Sequence, residues 1–468
     1  ARVSAANASV HSVICTRTMR TGPQRPVRIF SALRGGLAAL LLAGASLALP
    51  GSAAAAQSAA ARVAAGAEGV SEFYKARNGR LLWLSQSGRP ADLLLETLRN
   101  ADADGLNGDR YDVDKLERIV QAARQSSSAK AARRADAQLS RAFVAYVRDL
   151  RSTKRSDTIY VDAELKPEMP NDRAILETAA TAPSLEVYIA EMRWMNPLYA
   201  QLRHALLSNN YDASQRDLVR LNLDRARELP VGNGRYVLVN AAAQRLFMVE
   251  DGKTVDSMRV VVGKPIYPTP MMAAYIRFAN LNPYWYVPAD LAAERIAPNV
   301  VKLGLPYLDR QGYQVVSDFV DNPQIFDPSA IDWQAVADGR QKVLIRQLPG
   351  AHNSMGRIKF MFPNEEGVYL HDNPERELFE QAARLYSGGC VRLESAWRLG
   401  RWLFGRDLTW KGAGPEEKVP LDKPVPVYIT YLTAVPDGSQ IAFLDDVYGR
   451  DKARLAEGSA DAAQTAAR

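Results

Sequence analysis

Cysteine is scarce in this chain, whose 468 residues hold only Cys15 and Cys390. Two cysteines give no disulfide framework to read, so stability has to come from packed cores. Histidine is nearly as rare, at positions 11, 204, 352 and 371. These residues show none of the close spacings that build zinc sites, so no metal is implied. No glycine-rich loop runs into a helix with lysine, which removes the usual phosphate cradle, and no other cofactor is implied. No apolar run reaches the ~20 residues that span a bilayer as a helix, and no internal repeat is evident.

Acidic residues are missing from one region: none precedes residue 57, whereas Arg2, Arg17, Arg20, Arg25, Arg28 and Arg34 all do. Setting those six aside takes the net charge from +7 to +1. The basic pI of 9.2 therefore belongs to the first 56 residues, and the remainder offers no electrostatic case for nucleic acid. Met19-Arg20 opens a basic stretch to Arg34, followed by the apolar run Leu37–Leu49, then Pro50-Gly51-Ser52 and Ala53–Ala56. Basic, apolar, then small is the order of a secretory signal. Residues 1–56 are read as leader and signal peptide, with the true start at Met19 and export to the periplasm. No stable membrane span is expected after cleavage; a retained anchor is the alternative. Cys15 leaves with the leader, and Cys390 is then a lone thiol in an oxidising compartment, a liability unless it is buried or used. Free cysteine is often a plain buried hydrophobe, so composition alone does not choose between the two.

The texture of the chain changes once. Hydrophobic residues at 47% and charged residues at 24% leave ample material for cores, and the length suggests two or three domains. Over 57–230 apolar residues recur at helical spacing, as in Leu139, Phe143, Val147 and Leu150, and this stretch is read as a helical scaffold domain. Ser58 to Ala67 reads as a tether, and Tyr188 to Leu207 as an amphipathic helix interrupted at Asn196-Pro197. From 231 to 436 short β-rich runs take over: Tyr236–Val239, Leu246–Val249, Val255–Val262, Ala274–Phe278, Val343–Arg346, Ile358–Met361, Gly367–His371 and Val425–Thr433. Asp251-Gly252 is placed to turn a hairpin, and a helix is expected over Glu394–Phe404. The irregular segment 305–342 is long enough to be a lid over a site. Residues 437–468 are read as a final strand and a flexible tail. The fold class is thus α+β multidomain: a helical scaffold followed by a mainly antiparallel β domain with a lid-like insertion.

Chemistry concentrates in Tyr369-Leu370-His371-Asp372-Asn373-Pro374 and Ser387-Gly388-Gly389-Cys390-Val391-Arg392. A thiol nucleophile needs a base or a cation nearby, and histidine is the usual supplier. His371 ends a strand candidate and Cys390 lies between a glycine turn and the expected helix, so the two side chains can meet across a loop. Without Cβ atoms, Gly388 and Gly389 let the backbone approach a substrate, and their amides with that of Cys390 could form an oxyanion hole. The following helix N-terminus would add thiolate stabilisation.

These two blocks resemble the active-site signature of the L,D-transpeptidase family with a YkuD-type catalytic domain, and more closely its long YcbB-like subgroup. Asn353-Ser354-Met355-Gly356-Arg357-Ile358-Lys359-Phe360 resembles the strand before the histidine, and Val262-Gly263-Lys264-Pro265 with Thr269-Pro270, and Asn282-Pro283-Tyr284-Trp285, resemble earlier blocks of that domain. Leu82-Trp83-Leu84 and Asp104-Gly105-Leu106-Asn107 resemble the subgroup's helical scaffold. Two departures stand out. Gly388 occupies the place where the family usually has a histidine in Ser/Thr-His-Gly-Cys, and only a short segment around Ser208 to Arg216 stands where long members carry a peptidoglycan-binding module.

The resemblance implies that Cys390 is the nucleophile and His371 the general base and proton donor. Cys390 would attack the carbonyl between diaminopimelate and D-Ala in a peptidoglycan tetrapeptide stem, and an amine of a second stem would resolve the thioester to a 3→3 crosslink. Water as acceptor would make the same site an L,D-carboxypeptidase; a degenerate site would leave a wall-binding scaffold protein. The stem peptides are the implied partners, and no protein partner is readable.

The remaining candidates each carry two readings. Ser387 bonds either a main-chain group or a substrate, and Arg392 either steers a stem carboxylate or forms a structural ion pair. His352 is a substrate or a structural contact, Tyr284 and Trp285 are core, cleft wall or ligand contacts, and Asp372 either orients His371 or is an exposed turn carboxylate.

Overall fold

The computed structural model describes residues 68–466 apart from 86–87, 153–155, 321 and 413, with side chains up to residue 458. The leader and tether readings fall outside the described residues.

Capping residues divide the N-terminal half into helices. Ser128 accepts from Ala131 N and opens Ala129–Arg151, along which Leu139, Phe143, Val147 and Leu150 are buried as the helical spacing requires. Asn196 caps Pro197–Ser208 with proline in its first turn, and Asp212 with Gln215 forms a capping box for Ala213–Ala226. These helices and Arg89–Arg99, Val113–Gln125 and Asp172–Thr181 enclose a core centred on Trp83, Phe143, Tyr146, Trp194 and Tyr199.

Two buried carboxylates organise that core. Asp136 accepts the amides of Leu82, Trp83 and Leu84 at 2.7, 2.9 and 2.8 Å, which fixes the loop that carries Trp83. Asp104 accepts Tyr146 Oη and Tyr199 Oη, each at 2.7 Å, and Arg203 Nε at 2.8 Å. Asp136 is thus held by hydrogen bonds and Asp104 by hydrogen bonds and the charge of Arg203, as buried carboxylates require.

The β half closes on itself. Around the ring, Met272–Leu281 neighbours Ile358–Met361, then Leu370–His371, Val391–Leu393, Lys253–Gly263, Arg245–Glu250, Arg235–Asn240 and Glu417–Thr430, which returns to Met272–Leu281. Most of these contacts are antiparallel. Leu370–His371 lies parallel to Val391–Leu393, and Glu417–Thr430 parallel to Arg235–Asn240. Asp251 and Gly252, with φ of 50° and 74°, make the two-residue turn that pairs Glu250 with Lys253. The ring is filled by residues such as Val260, Ile276, Phe360, Leu370 and Val391.

The insertion is larger than the segment 305–342. A separate four-stranded sheet, ordered Trp285–Val287, Leu344–Gln347, Tyr313–Val316 and Ile325–Phe326, has its own core of Val287, Leu291, Ile296, Trp333 and Ile345. Its first strand precedes the segment read as a lid because Trp285–Val287 pairs with Leu344–Gln347, a long-range contact without local signal.

The C-terminal end also differs from a flexible tail. The hairpin Ala434–Asp437 with Gln440–Phe443 places Ala434 and Ile441 in the helical core, and Arg450–Ala466 is a helix. Asp446 accepts the amides of Arg450 and Asp451, and Arg225 of the scaffold meets Asp451 at 2.6 Å. The chain therefore returns from the β half and is stitched to the scaffold. No helix among the described residues is long and apolar enough to cross a membrane.

Candidate active site

Three adjacent strands bring a row of side chains into register. Lys359 is opposite His371, and His371 is opposite Arg392. Paired residues on neighbouring strands share a face and sit about 5 Å apart along the sheet, so two cations flank one imidazole. Cys390 precedes the third strand: Val391 N donates to Tyr369 O at 2.9 Å, which places Cys390 beside the residues leading into His371. Cys390, His371, Lys359, Tyr369 and Arg392 all line one cavity.

His371 is 1% exposed. Its Nδ1 lies 2.6 Å from the main-chain oxygen of Asp372, an atom that can only accept, so Nδ1 carries the proton. Burial, then the charges of Arg392 and Lys359, pull its pKa down to about 3 against opposing main-chain contacts from Asp372 and Met355. The ring is neutral at physiological pH. With the proton on Nδ1, Nε2 is the ring's acceptor, and a neutral ring does not supply the cation for a resting thiolate.

Asp372 departs from both of its sequence readings. Its side chain is buried and accepts Arg357 N at 3.0 Å and Arg376 Nη2 at 2.8 Å, while its carbonyl touches the imidazole. The carboxylate thus shapes the turn and the backbone orients the ring. Gly356, at φ +62°, is needed underneath, because a Cβ there would lie 2.5 Å from the Asp372 carboxylate.

The cysteine loop is held from below. Thr269 Oγ1 accepts from Gly263 N at 2.9 Å and donates to Gly389 O at 2.8 Å, and Lys264 N donates to Ser387 O at 3.0 Å. Ser387 Oγ donates to Cys390 O at 2.6 Å and accepts Gly389 N at 3.1 Å, so its hydroxyl serves the main chain. The same bond corrects the oxyanion-hole expectation for Gly389: its amide is engaged and it does not line the cavity, whereas Gly388 and Cys390 do. Cys390 is half-buried, and its Sγ lies 3.5 Å from Gly367 O. A strand, Val391–Leu393, follows it, and the helix starts only at Ala396. The helix terminus is therefore too far along the chain to stabilise the thiolate, since such fields fade beyond the first turn.

Arg392 forms an ion pair with Glu375 at 2.8 Å at the cavity edge, which makes the structural reading part of its role. Tyr284 and Trp285 line the cavity from the small sheet, and the Tyr284 ring stacks 4.6 Å from the Arg346 guanidinium. His352 is exposed and outside the lining, and its carbonyl accepts from Gln347 Nε2 at 2.9 Å. Leu291 reaches over Gly388, where an added Cβ would be 3.3 Å from it. A larger residue at 388 would displace Leu291 and the insertion that carries it, which forms the cap of the cavity. Among the described residues no cluster of three metal-ligating side chains occurs.

Against known families, residues 68–206 match the Scaffold domain and residues 234–425 match the L,D-transpeptidase catalytic domain of YkuD type. This chain carries a YkuD-type L,D-transpeptidase domain. A Haemophilus influenzae protein, provisionally named an L,D-transpeptidase, is 27% identical over 323 residues, 66% of this chain and 64% of that protein. This chain therefore matches just under two thirds of that relative's length. Among solved structures, an L,D-transpeptidase from Mycobacterium smegmatis aligns with 42% of this chain and 59% of its own at 13% identity and a TM-score of 0.20. The catalytic domain of the E. faecium L,D-transpeptidase aligns with 42% of this chain and 97% of its own, at 16% identity and a TM-score of 0.19.

Several residues of the cavity had been given no role of their own from the sequence. Lys359 lies on the strand Ile358–Met361, Met355 in the turn before it and Tyr369 just before Leu370–His371, while Leu291, Arg295 and Phe319 belong to the cap. Lys359 had a signal: it is the one charged residue in the apolar strand Ile358–Met361. The cap residues had none, because their approach depends on how the insertion folds back.

Proposed function

We propose that this protein is a peptidoglycan L,D-transpeptidase acting through a cysteinyl thioester. In the first step Sγ of Cys390 bonds to the carbonyl carbon of the diaminopimelate–D-Ala peptide in a tetrapeptide stem. The C–N bond breaks, and the departing amine takes the thiol proton by way of Nε2 of His371 to leave as D-Ala. In the second step the amine of another stem attacks the thioester, its proton passes to the restored thiol, and a 3→3 crosslink forms without nucleotide. The amides of Gly388 and Cys390 face the developing oxyanion.

The observation that carries this reading is the tautomer-fixed imidazole of His371, its Nδ1 held by the Asp372 carbonyl, in the same cavity as Cys390. A general base needs a free acceptor atom, and that tautomer leaves Nε2 as the acceptor. Action in the periplasm, on wall material, follows from the same reading.

The test is incubation of the mature protein with tetrapeptide muropeptides. Crosslinked dimers with loss of D-Ala are expected from the wild type and none from Cys390→Ala. Tripeptides alone would identify an L,D-carboxypeptidase, and unchanged muropeptides from both proteins would leave a wall-binding scaffold.

A further inference from the structure

His371 is held neutral, so it cannot supply the positive charge that a thiolate needs, and the cavity contains another group that can. Lys359 lies on the strand next to His371, in register with it, and its side chain is 6% exposed. Its ammonium lies 5.1 Å from the centre of the Tyr369 ring and 5.9 Å from that of Tyr286, contacts that favour the charged form. Its counter-ion is Glu416, at 3.7 Å, a looser pair than Arg392 with Glu375 at 2.8 Å. Glu416 is held at φ 56°, its amide bonded to Asn282 O and its carboxylate accepting Tyr286 Oη at 3.2 Å.

We propose that Lys359 is a positioning residue for the transfer reaction: a buried ammonium, only partly offset by Glu416, that sets the thiolate fraction of Cys390. The proposal rests on the reading of Cys390 as nucleophile and adds the source of its ionisation. Burial pulls the Lys359 amine below its ordinary range, while Glu416 and then Cys390 push it back up, so lysine and sulfur act on each other. The other charged groups lining the cavity with the sulfur are Arg392, paired with Glu375, and Arg295, Asp290 and Glu366. Tyr369 adds an aromatic face.

Two variants of the full chain separate this role from a structural one because they move the thiol in opposite directions. The measurement is the pH dependence of iodoacetamide alkylation at Cys390, read by mass spectrometry on its own peptide so that Cys15 does not contribute. Lys359→Gln removes the cation and should raise the alkylation midpoint by about one pH unit, slowing the reaction roughly tenfold below both midpoints and leaving the high-pH plateau within about twofold. Glu416→Gln removes the offsetting anion and should lower the midpoint. A midpoint that stays put in folded Lys359→Gln, or that rises in Glu416→Gln, overturns the proposal. If Lys359→Gln does not fold, the Glu416→Gln direction alone decides. Alkylation needs no turnover, so a wild type that yields no muropeptide product would refute the transpeptidase reading and leave this test standing.

Discussion

Lowering the pH from 8 to 5 should weaken the β half through one residue. The folded pKa of His371 is about 3, against an ordinary value of 6.5. The unfolded chain therefore binds the extra proton between those limits, and stability is fully present above ~6.5 and lost as pH falls toward ~3. At pH 5 an ordinary imidazole is almost wholly protonated, whereas this one is charged in about one molecule in a hundred. Integrating the difference gives a loss of about 2 kcal/mol between pH 8 and pH 5, and a folded value one unit higher would change that figure very little. The control is His371→Asn, which does not titrate there and whose amide can still donate to Asp372 O. Urea unfolding of both proteins at both pH values isolates the residue, because every other titrating group is common to them. The wild type should lose about 2 kcal/mol more than the variant. A difference below about 0.5 kcal/mol, or a His371 imidazole NMR signal that titrates near 6.5, would refute the reasoning.

Three further substitutions test the supports of the site and the scaffold. Asp104→Ala leaves the buried guanidinium of Arg203 without its carboxylate and should cost about 3–5 kcal/mol in denaturant unfolding of the scaffold. Thr269→Val removes the hydroxyl between Gly263 N and Gly389 O and should cost about 1–3 kcal/mol, with slower acylation of Cys390; Thr269→Ser should restore both. Gly356→Ala forces a Cβ against Asp372 at a positive φ, and should shift the His371 imidazole resonance and destabilise the β half in urea unfolding.

What could be read from the sequence was local. Leu139, Phe143, Val147 and Leu150 are buried along one helix because a periodicity of 3.6 residues is written in consecutive positions. Asp251-Gly252 turns a hairpin because both residues tolerate positive φ. Cys390 and His371 were legible as a pair through their motif, and both line the cavity. The C-terminal helix was missed because its start depends on Asp446 and its attachment on Arg225, which lies far back in the chain.

Lys359 shows most clearly where a linear reading stops. A charged residue between Ile358 and Phe360 fits a strand with one wet face, and alternation alone would send that side chain to solvent. Here Ile358 and Phe360 face the packed interior of the ring, while the opposite face is roofed by the insertion that starts at Trp285. The lysine is consequently buried at 5% exposure against tyrosine rings and a carboxylate, beside an imidazole that its charge helps to keep neutral. That arrangement is made by strand order, with a parallel pair carrying His371 and Arg392 and an antiparallel partner carrying Lys359. Moving any one strand by a single residue would turn its side chain to the other face and take the cation away from the cavity. The chemistry of the site is therefore a property of the register, and the residue types become meaningful only once the register is known.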